Sequence, residues 1–183
     1  MRLIRSKSIS QGDKETVVSG KLREILYAVK KEMKIVWSFH AEASCFADED
    51  GPDPCSHPDF RFTGHTPDSD QYEYDIECKL VRVKRSGKSH NYCKYYVNNG
   101  IQRFQDGNTY AQSAPPMGIM IGYVQEGDIF YLLQIINTEA IKKGFNQIES
   151  HQEIKSDSVS KLYQDINRTS AHFTLHHLWV DLR

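Results

Sequence analysis

The stretch HPDFRFTGHTPDSDQYEYDIECKLVRV, His57 to Val83, decides the fold. Apolar and polar residues alternate on both sides of HTPDSD, the pattern of two strands joined by a turn rich in Pro, Asp and Ser. A period of two fixes the register once the turn is placed at residues 65–70. Phe60 then lies opposite Ile76 and Phe62 opposite Tyr74, on a face directed to the core. On the other face Asp59 lies opposite Glu77 and Arg61 opposite Asp75, with directly opposed Cβ atoms about 5 Å apart. Lys79 shares that face.

Two carboxylates opposed at this spacing repel each other, and one protonates unless a cation sits between them. A divalent ion removes the conflict, and one Asp and one Glu leave coordination positions open for water and a phosphate oxygen, as Mg²⁺ or Mn²⁺ prefers. Asp59 and Glu77 are therefore candidate metal ligands, and Lys79 a candidate catalytic cation beside them. As a residue of an exposed polar face, Lys79 is expected to be removable with little effect on folding or metal affinity. Asp75 is read as structural, paired with Arg61. Asp68 and Asp70 replace Asp59 as first ligand if the turn lies elsewhere. With the turn at 65–70, Asp68 sits roughly 30 Å along the strand from Glu77.

Charge is polarised around the same stretch. Eleven acids and one base, Arg61, fall between Glu42 and Glu77, whereas seven bases and no acid fall between Cys78 and Gln105. This arrangement suits cations held in one place and a polyanion beside it. Lys84, Arg85, Lys88, Lys94 and Arg103 are candidate phosphate contacts, interleaved with His90, Tyr92, Tyr95 and Tyr96 for base stacking. The isoelectric point near 6.7 is low for a protein gripping duplex DNA unaided, so a homo-oligomer or a partner subunit is expected to supply binding surface.

Working outward, Leu22, Ile25, Leu26, Val29 and Met33 predict an amphipathic helix over 20–33, after a tail or edge element at 1–19. KIVWSFHAEASCF alternates as a strand, and residues 47–58 form an acidic, proline-punctuated loop. Beyond the hairpin, KRSGKSHNYCKYY reads as a basic loop and residues 98–112 as a helix with Gly100 and Gly107 allowing close approach of another backbone. MGIMIGYV reads as a strand covered on both faces. Asp128 caps a helix that Gly144 ends. Residues 145–170 read as polar with at most a short helix, and HFTLHHLWVDL as a closing strand. The whole predicts one α/β domain over 1–183.

The 183 residues include 8 Phe, 10 Tyr and 2 Trp, enough apolar material for a core. The four cysteines (Cys45, Cys55, Cys78, Cys93) show no paired spacing, which argues against a zinc ribbon or a disulfide framework. The polar opening MRLIRSKSISQGDKETVV is unlike a secretory signal, and no apolar run reaches the roughly 18 residues of a membrane span, so a soluble cytoplasmic protein is expected.

Pro58-Asp59 followed by Glu77-Cys78-Lys79 on the apolar-flanked strand YDIECKLV resembles the PD-(D/E)xK nuclease superfamily. The resemblance covers about residues 20–125 and implies a restriction-endonuclease-like core, a central mixed sheet flanked by helices, with 126–183 adding a helix and closing strand. It implies metal-dependent hydrolysis of DNA phosphodiesters, RNA not being excluded. Asp59 and Glu77 then bind metal together with the Cys78 carbonyl, and Lys79 is the catalytic lysine. Many members carry an acid on the first helix, for which Glu24 is the positional candidate, although the helical wheel sets it opposite the apolar stripe on the solvated side; Glu42, beside His40, is the alternative. Some carry Gln with Tyr four residues later, a spacing that Gln102, Gln105 and Tyr110 do not match. GIQRFQDGNTYA, MGIMIGYVQEGD and SAHFTLHHLWVDL look similar to bacterial anti-phage defence nucleases, which implies a partner defence subunit. The other class of function open to the chain is an inactive nuclease-fold module that binds nucleic acid or a protein.

Overall fold

The computed structural model describes residues 13–32, 38–41, 58–65, 71–105, 117–156, 159–167 and 172–183. Helix α1 (Glu15–Glu32) comes first, then strands β1 (Ser38–Ala41), β2 (Phe60–His65), β3 (Gln71–Arg85) and β4 (Lys88–Asn91). A helical segment follows as α2 (Cys93–Tyr96), a π-turn (Val97–Ile101) and α3 (Gln102–Gln105). Strand β5 (Met117–Val124), helix α4 (Ile129–Lys142) and strands β6 (Glu149–Ser156), β7 (Val159–Asn167) and β8 (His172–Asp181) complete it.

Seven strands form one mixed sheet in the order β1-β2-β3-β5-β8-β7-β6, and β4 pairs with β3 alongside. The inner trio β3, β5 and β8 is parallel, and the remaining pairs are antiparallel. Parallel strands need crossovers, which cover both faces of the strands they join. MGIMIGYV accordingly sits mid-sheet as β5, buried from Met120 to Val124. On one face Val81, Tyr96, Val97, Ile101, Phe104, Met120, Leu132, Ile136 and Trp179 form a core under the helices that follow β4 and β5. On the other, Val18 of α1 packs with Phe39, Phe60, Ile76, Cys78, Leu80, Ile121 and Tyr123.

The central hairpin has the register its alternation dictates. Phe60 pairs with Ile76, Arg61 with Asp75, Phe62 with Tyr74, and the ladder continues to His65 opposite Gln71. Arg61 Nε donates to Asp75 Oδ1 at 2.7 Å, the structural pairing expected of Asp75. Asp128 caps α4 by accepting from the Tyr131 amide, and Gly144, at φ +77°, follows its C-terminus.

Four expectations differ from the structure. The first helix begins at Glu15, not residue 20, because Val18 extends the apolar stripe one turn towards the N-terminus and is fully buried. The basic segment 84–96 is no loop: Ser86 and Gly87, both at positive φ, turn the chain into β4, and helix begins at Cys93. The helix expected over 98–112 starts earlier, at Cys93, and its residues beyond Gln105 lie outside the described residues. Residues 145–170 hold β6 and β7, which extend the sheet beyond β8; Leu162, Gln164 and Ile166 alternate inward along β7 at a period of two. Glu42, Asp68 and Asp70 lie outside the described residues.

Candidate functional site

Strand β3 is longer than its neighbours on one edge. Strand β2 covers that edge as far as Ile76, and β4 takes it up again at Arg82. Between these two stretches the amides of Cys78 and Leu80 face no strand on that side, and unpaired backbone groups at a sheet edge require other partners. Side chains supply them. The Cys78 amide donates to Asp59 Oδ2 at 2.7 Å, and the Leu80 amide, two residues on and pointing the same way, donates to Glu15 Oε2 at 2.9 Å. The backbone therefore fixes two carboxylates at the break in the ladder, one from the residue preceding β2 and one from the first turn of α1.

Lys79 closes the site. Its Nζ lies 2.5 Å from Glu77 Oε1, donates to the Cys78 carbonyl at 2.9 Å, and lies 3.3 Å from Glu15 Oε1 and 3.9 Å from Asp59 Oδ2. Arg103 of α3 approaches from the helical side, NH1 to Glu77 Oε1 at 2.7 Å. That approach depends on Gly100 in the π-turn, where a Cβ would overlap the Met120 methyl and stand 3.5 Å from Lys79 Cγ. Glu77 and Lys79 are buried, at 1% and 5% exposure, whereas the side chains of Asp59, Glu15 and Arg103 retain about a third of theirs. The cluster is thus rooted in the sheet and open along one rim.

Burial pushes the Glu77 carboxyl above its ordinary range, with the Asp59 charge adding to the rise against Lys79 and Arg103. Burial likewise raises Asp59, opposed by Lys79 and by the Cys78 amide. For Lys79 burial pulls the other way, but Glu77, Glu15 and Asp59 together hold the ammonium above its ordinary value. It is a fixed cation at neutral pH.

The structure thus brings together Asp59, Glu77, Lys79 and the Cys78 carbonyl. One expectation needs correction. Lys79 is a buried counterion and not an exposed face residue, because the helix carrying Gly100 and Arg103 lies over its stem. Glu24 lies on the exposed side of α1, as its place opposite the apolar stripe implies, and the carboxylate of this helix that reaches Lys79 is Glu15. The signal for a helix start here is in the sequence: Val18 stands four residues before Leu22, so the helix starts a turn earlier and Glu15 falls in its first turn, where acids favour the positive end of the helix dipole. Among the other basic candidates, Lys84, Lys88 and Lys94 are exposed, while Arg85 donates to the Asp13 carbonyl. Tyr95 is exposed; Tyr96 is fully buried and so is a core residue instead of a stacking platform.

Among the described residues no three His, Cys, Asp or Glu side chains meet as a ready metal cage. What converges is a set of hard oxygen donors, two or three carboxylates and a carbonyl, gathered round an ammonium. By donor type this set fits Mg²⁺ or Mn²⁺ and not a softer metal. No protein-family model, curated protein or solved structure matches the chain.

Proposed function

We propose that this chain is a metal-dependent nuclease of the PD-(D/E)xK type, hydrolysing DNA phosphodiester bonds with Mg²⁺ or Mn²⁺ on a restriction-endonuclease-like core. The observation that supports it is the convergence of Asp59, Glu77, the Cys78 carbonyl and Lys79 at the interrupted edge of β3. Asp59, Glu77 and the Cys78 carbonyl would hold the ion, with Glu15 beside them. An ion held there would supply a Lewis acid, lowering the pKa of coordinated water and offsetting charge on a phosphorane-like transition state. Lys79, kept protonated by its three carboxylates, orients the attacking water or holds a non-bridging phosphate oxygen; it acts as a fixed cation and not as a base. Arg103 and the exposed Lys84, Lys88 and Lys94 face the polyanion. A cytoplasmic defence setting, with a homo-oligomer or a partner defence subunit extending the binding surface, belongs to the same proposal. Among the described residues no helix is long and apolar enough to cross a membrane.

The test is a cleavage assay on plasmid, linear duplex, single-stranded DNA and RNA with Mg²⁺, Mn²⁺ or EDTA. DNA cleavage abolished by EDTA is the expected result; cleavage indifferent to EDTA, or absent on every substrate, overturns the reading. One observation favours a second reading, a non-catalytic module that binds nucleic acid or a protein: Lys79 and Arg103 already neutralise Glu77 internally. A divalent titration separates the two. The enzyme gains thermal stability with Mn²⁺ and Glu77→Ala loses that gain, whereas the module responds to neither.

Glu15 supplies a further prediction. Glu15→Gln keeps an acceptor for the Leu80 amide but removes a charge beside Lys79, and loss of such a supporting group costs about 10- to 100-fold in metal affinity or rate. Cleavage kinetics and Mn²⁺ titration are expected to show that loss for Glu15→Gln and none for Glu24→Gln. Equal behaviour of the two variants excludes Glu15 from the site.

A further inference from the structure

Resting on the nuclease reading, we propose that Arg103 is an exchangeable counterion, which neutralises Glu77 in the metal-free protein and passes to a DNA phosphate when a divalent ion takes its place. A single oxygen, Glu77 Oε1, holds two cations: Lys79 Nζ at 2.5 Å and Arg103 NH1 at 2.7 Å. An incoming ion that uses this oxygen displaces at least one of them. Lys79 is the harder to move, since its side chain is 6% exposed and is also tied to the Cys78 carbonyl and to Glu15. Arg103 is 31% exposed and stands on the short α3 at the rim, so it has solvent to turn into.

Charge gives the exchange its direction. Among the described residues, three carboxylates (Glu15, Asp59, Glu77) against two cations (Lys79, Arg103) leave the cluster one negative charge, a weak attraction for a divalent ion. Once Arg103 has left, two negative charges remain, a match for that ion. The released guanidinium is a planar fork suited to two oxygens of one phosphate. Metal and DNA then assist each other through one side chain, and by linkage each raises the affinity of the other by the same factor. Arg103 is in this account a positioning residue for the metal and a contact for the substrate.

The experiment uses the full chain and Arg103→Met, with Arg103→Lys as the charge-retaining control. Calorimetric titration with Mn²⁺ in the absence of DNA is expected to show Arg103→Met binding about three- to fivefold more tightly than the wild type, because a part-exposed ion pair that competes with the metal is gone. Anisotropy of a labelled duplex, with Ca²⁺ in place of Mg²⁺ to limit cutting, is expected to show a salt slope shallower by about one for Arg103→Met. In EDTA its slope is expected to equal that of the wild type, and Arg103→Lys is expected to keep the wild-type slope in both conditions. Weaker Mn²⁺ binding by Arg103→Met, or the same loss of slope with and without Ca²⁺, overturns the exchange while leaving the nuclease reading intact. A wild-type protein that binds neither Mn²⁺ nor duplex overturns both.

Discussion

Lys79→Ala is expected to lower DNA cleavage by about a hundred- to a thousandfold, the scale seen when one preorganised stabilising group is removed from a transition state in a water-poor site. It is also expected to destabilise the metal-free protein by about 3 kcal/mol. The second effect follows from where the ammonium lies. Glu77 is 1% exposed and loses the nearer of its two cations, while Glu15 and Asp59 lose a shared one. Breaking a buried pair from one side leaves an uncompensated charge, which costs about 3 to 5 kcal/mol. The lower end applies because Arg103 remains on Glu77 and because Asp59 and Glu15 reach solvent. For a chain of this length that corresponds to a fall in Tm of roughly 10 °C. Plasmid-nicking rates and thermal unfolding in EDTA read the two effects separately. Near-normal cleavage refutes the catalytic role of Lys79, and an unchanged Tm refutes its role as buried counterion.

The other large effect concerns acid stability and lies away from the site. His177 of β8 is fully buried, with Nδ1 2.9 Å from the Tyr96 hydroxyl, which accepts in turn from Trp179 Nε1 at 3.1 Å. Nε2, the other ring nitrogen, finds no hydrogen-bond partner among the described residues, so no group there compensates a positive charge on the buried ring. Burial, with His176 next to it, lowers the pKa of His177 to about 3. The unfolded chain takes up the His177 proton near pH 6.5 and the folded protein does not, so stability falls as the pH drops from about 6.5 towards 3. The slope approaches 1.4 kcal/mol per pH unit, a ceiling of roughly 4 to 5 kcal/mol. Asp59 and Glu77 act in the opposite sense: their raised values mean that the folded protein binds protons before the unfolded chain, which adds stability as the pH falls. A comparison with His177→Gln, neutral at every pH, isolates the histidine. Urea unfolding at pH 7, 6, 5 and 4 is expected to give a shallower acid loss for the variant; parallel curves for the two proteins contradict the assignment.

What was legible in the sequence was short-range and periodic. Alternation through Phe60, Phe62, Tyr74 and Ile76 determined the hairpin register, because a slip of one residue turns every apolar side chain to the wrong face. The same period put Glu77 and Lys79 on one face, while Asp59, just before the ladder begins at Phe60, joins them through the Cys78 amide and not as the partner of Glu77 across the strands; the run Met117–Val124 announced a strand buried on both sides. Strands β6 and β7 were less legible because much of their length is polar, and only the inward alternation of Leu162, Gln164 and Ile166 marks β7. Glu15 reaches the site from more than sixty residues before Lys79, and Arg103 from beyond the β3–β4 hairpin; the Val18–Leu22 spacing puts Glu15 at a helix start, but no local spacing announces that either residue meets Lys79 or Glu77.

The sequence by itself determined the α/β class, the central hairpin with its pairing, and three of the residues at the candidate site, since each follows from side chains alternating along one strand or between two adjacent ones. Only the tertiary structure decided that Lys79 is a buried counterion, that Glu15 and not Glu24 is the helix acid, and that Arg103 shares the Glu77 carboxylate. These depend on which helix covers which face of the sheet and on the gap between β2 and β4, where β3 offers its free amides to side chains. A carboxylate's partners are set by distance in space, and that distance is fixed when the layers pack.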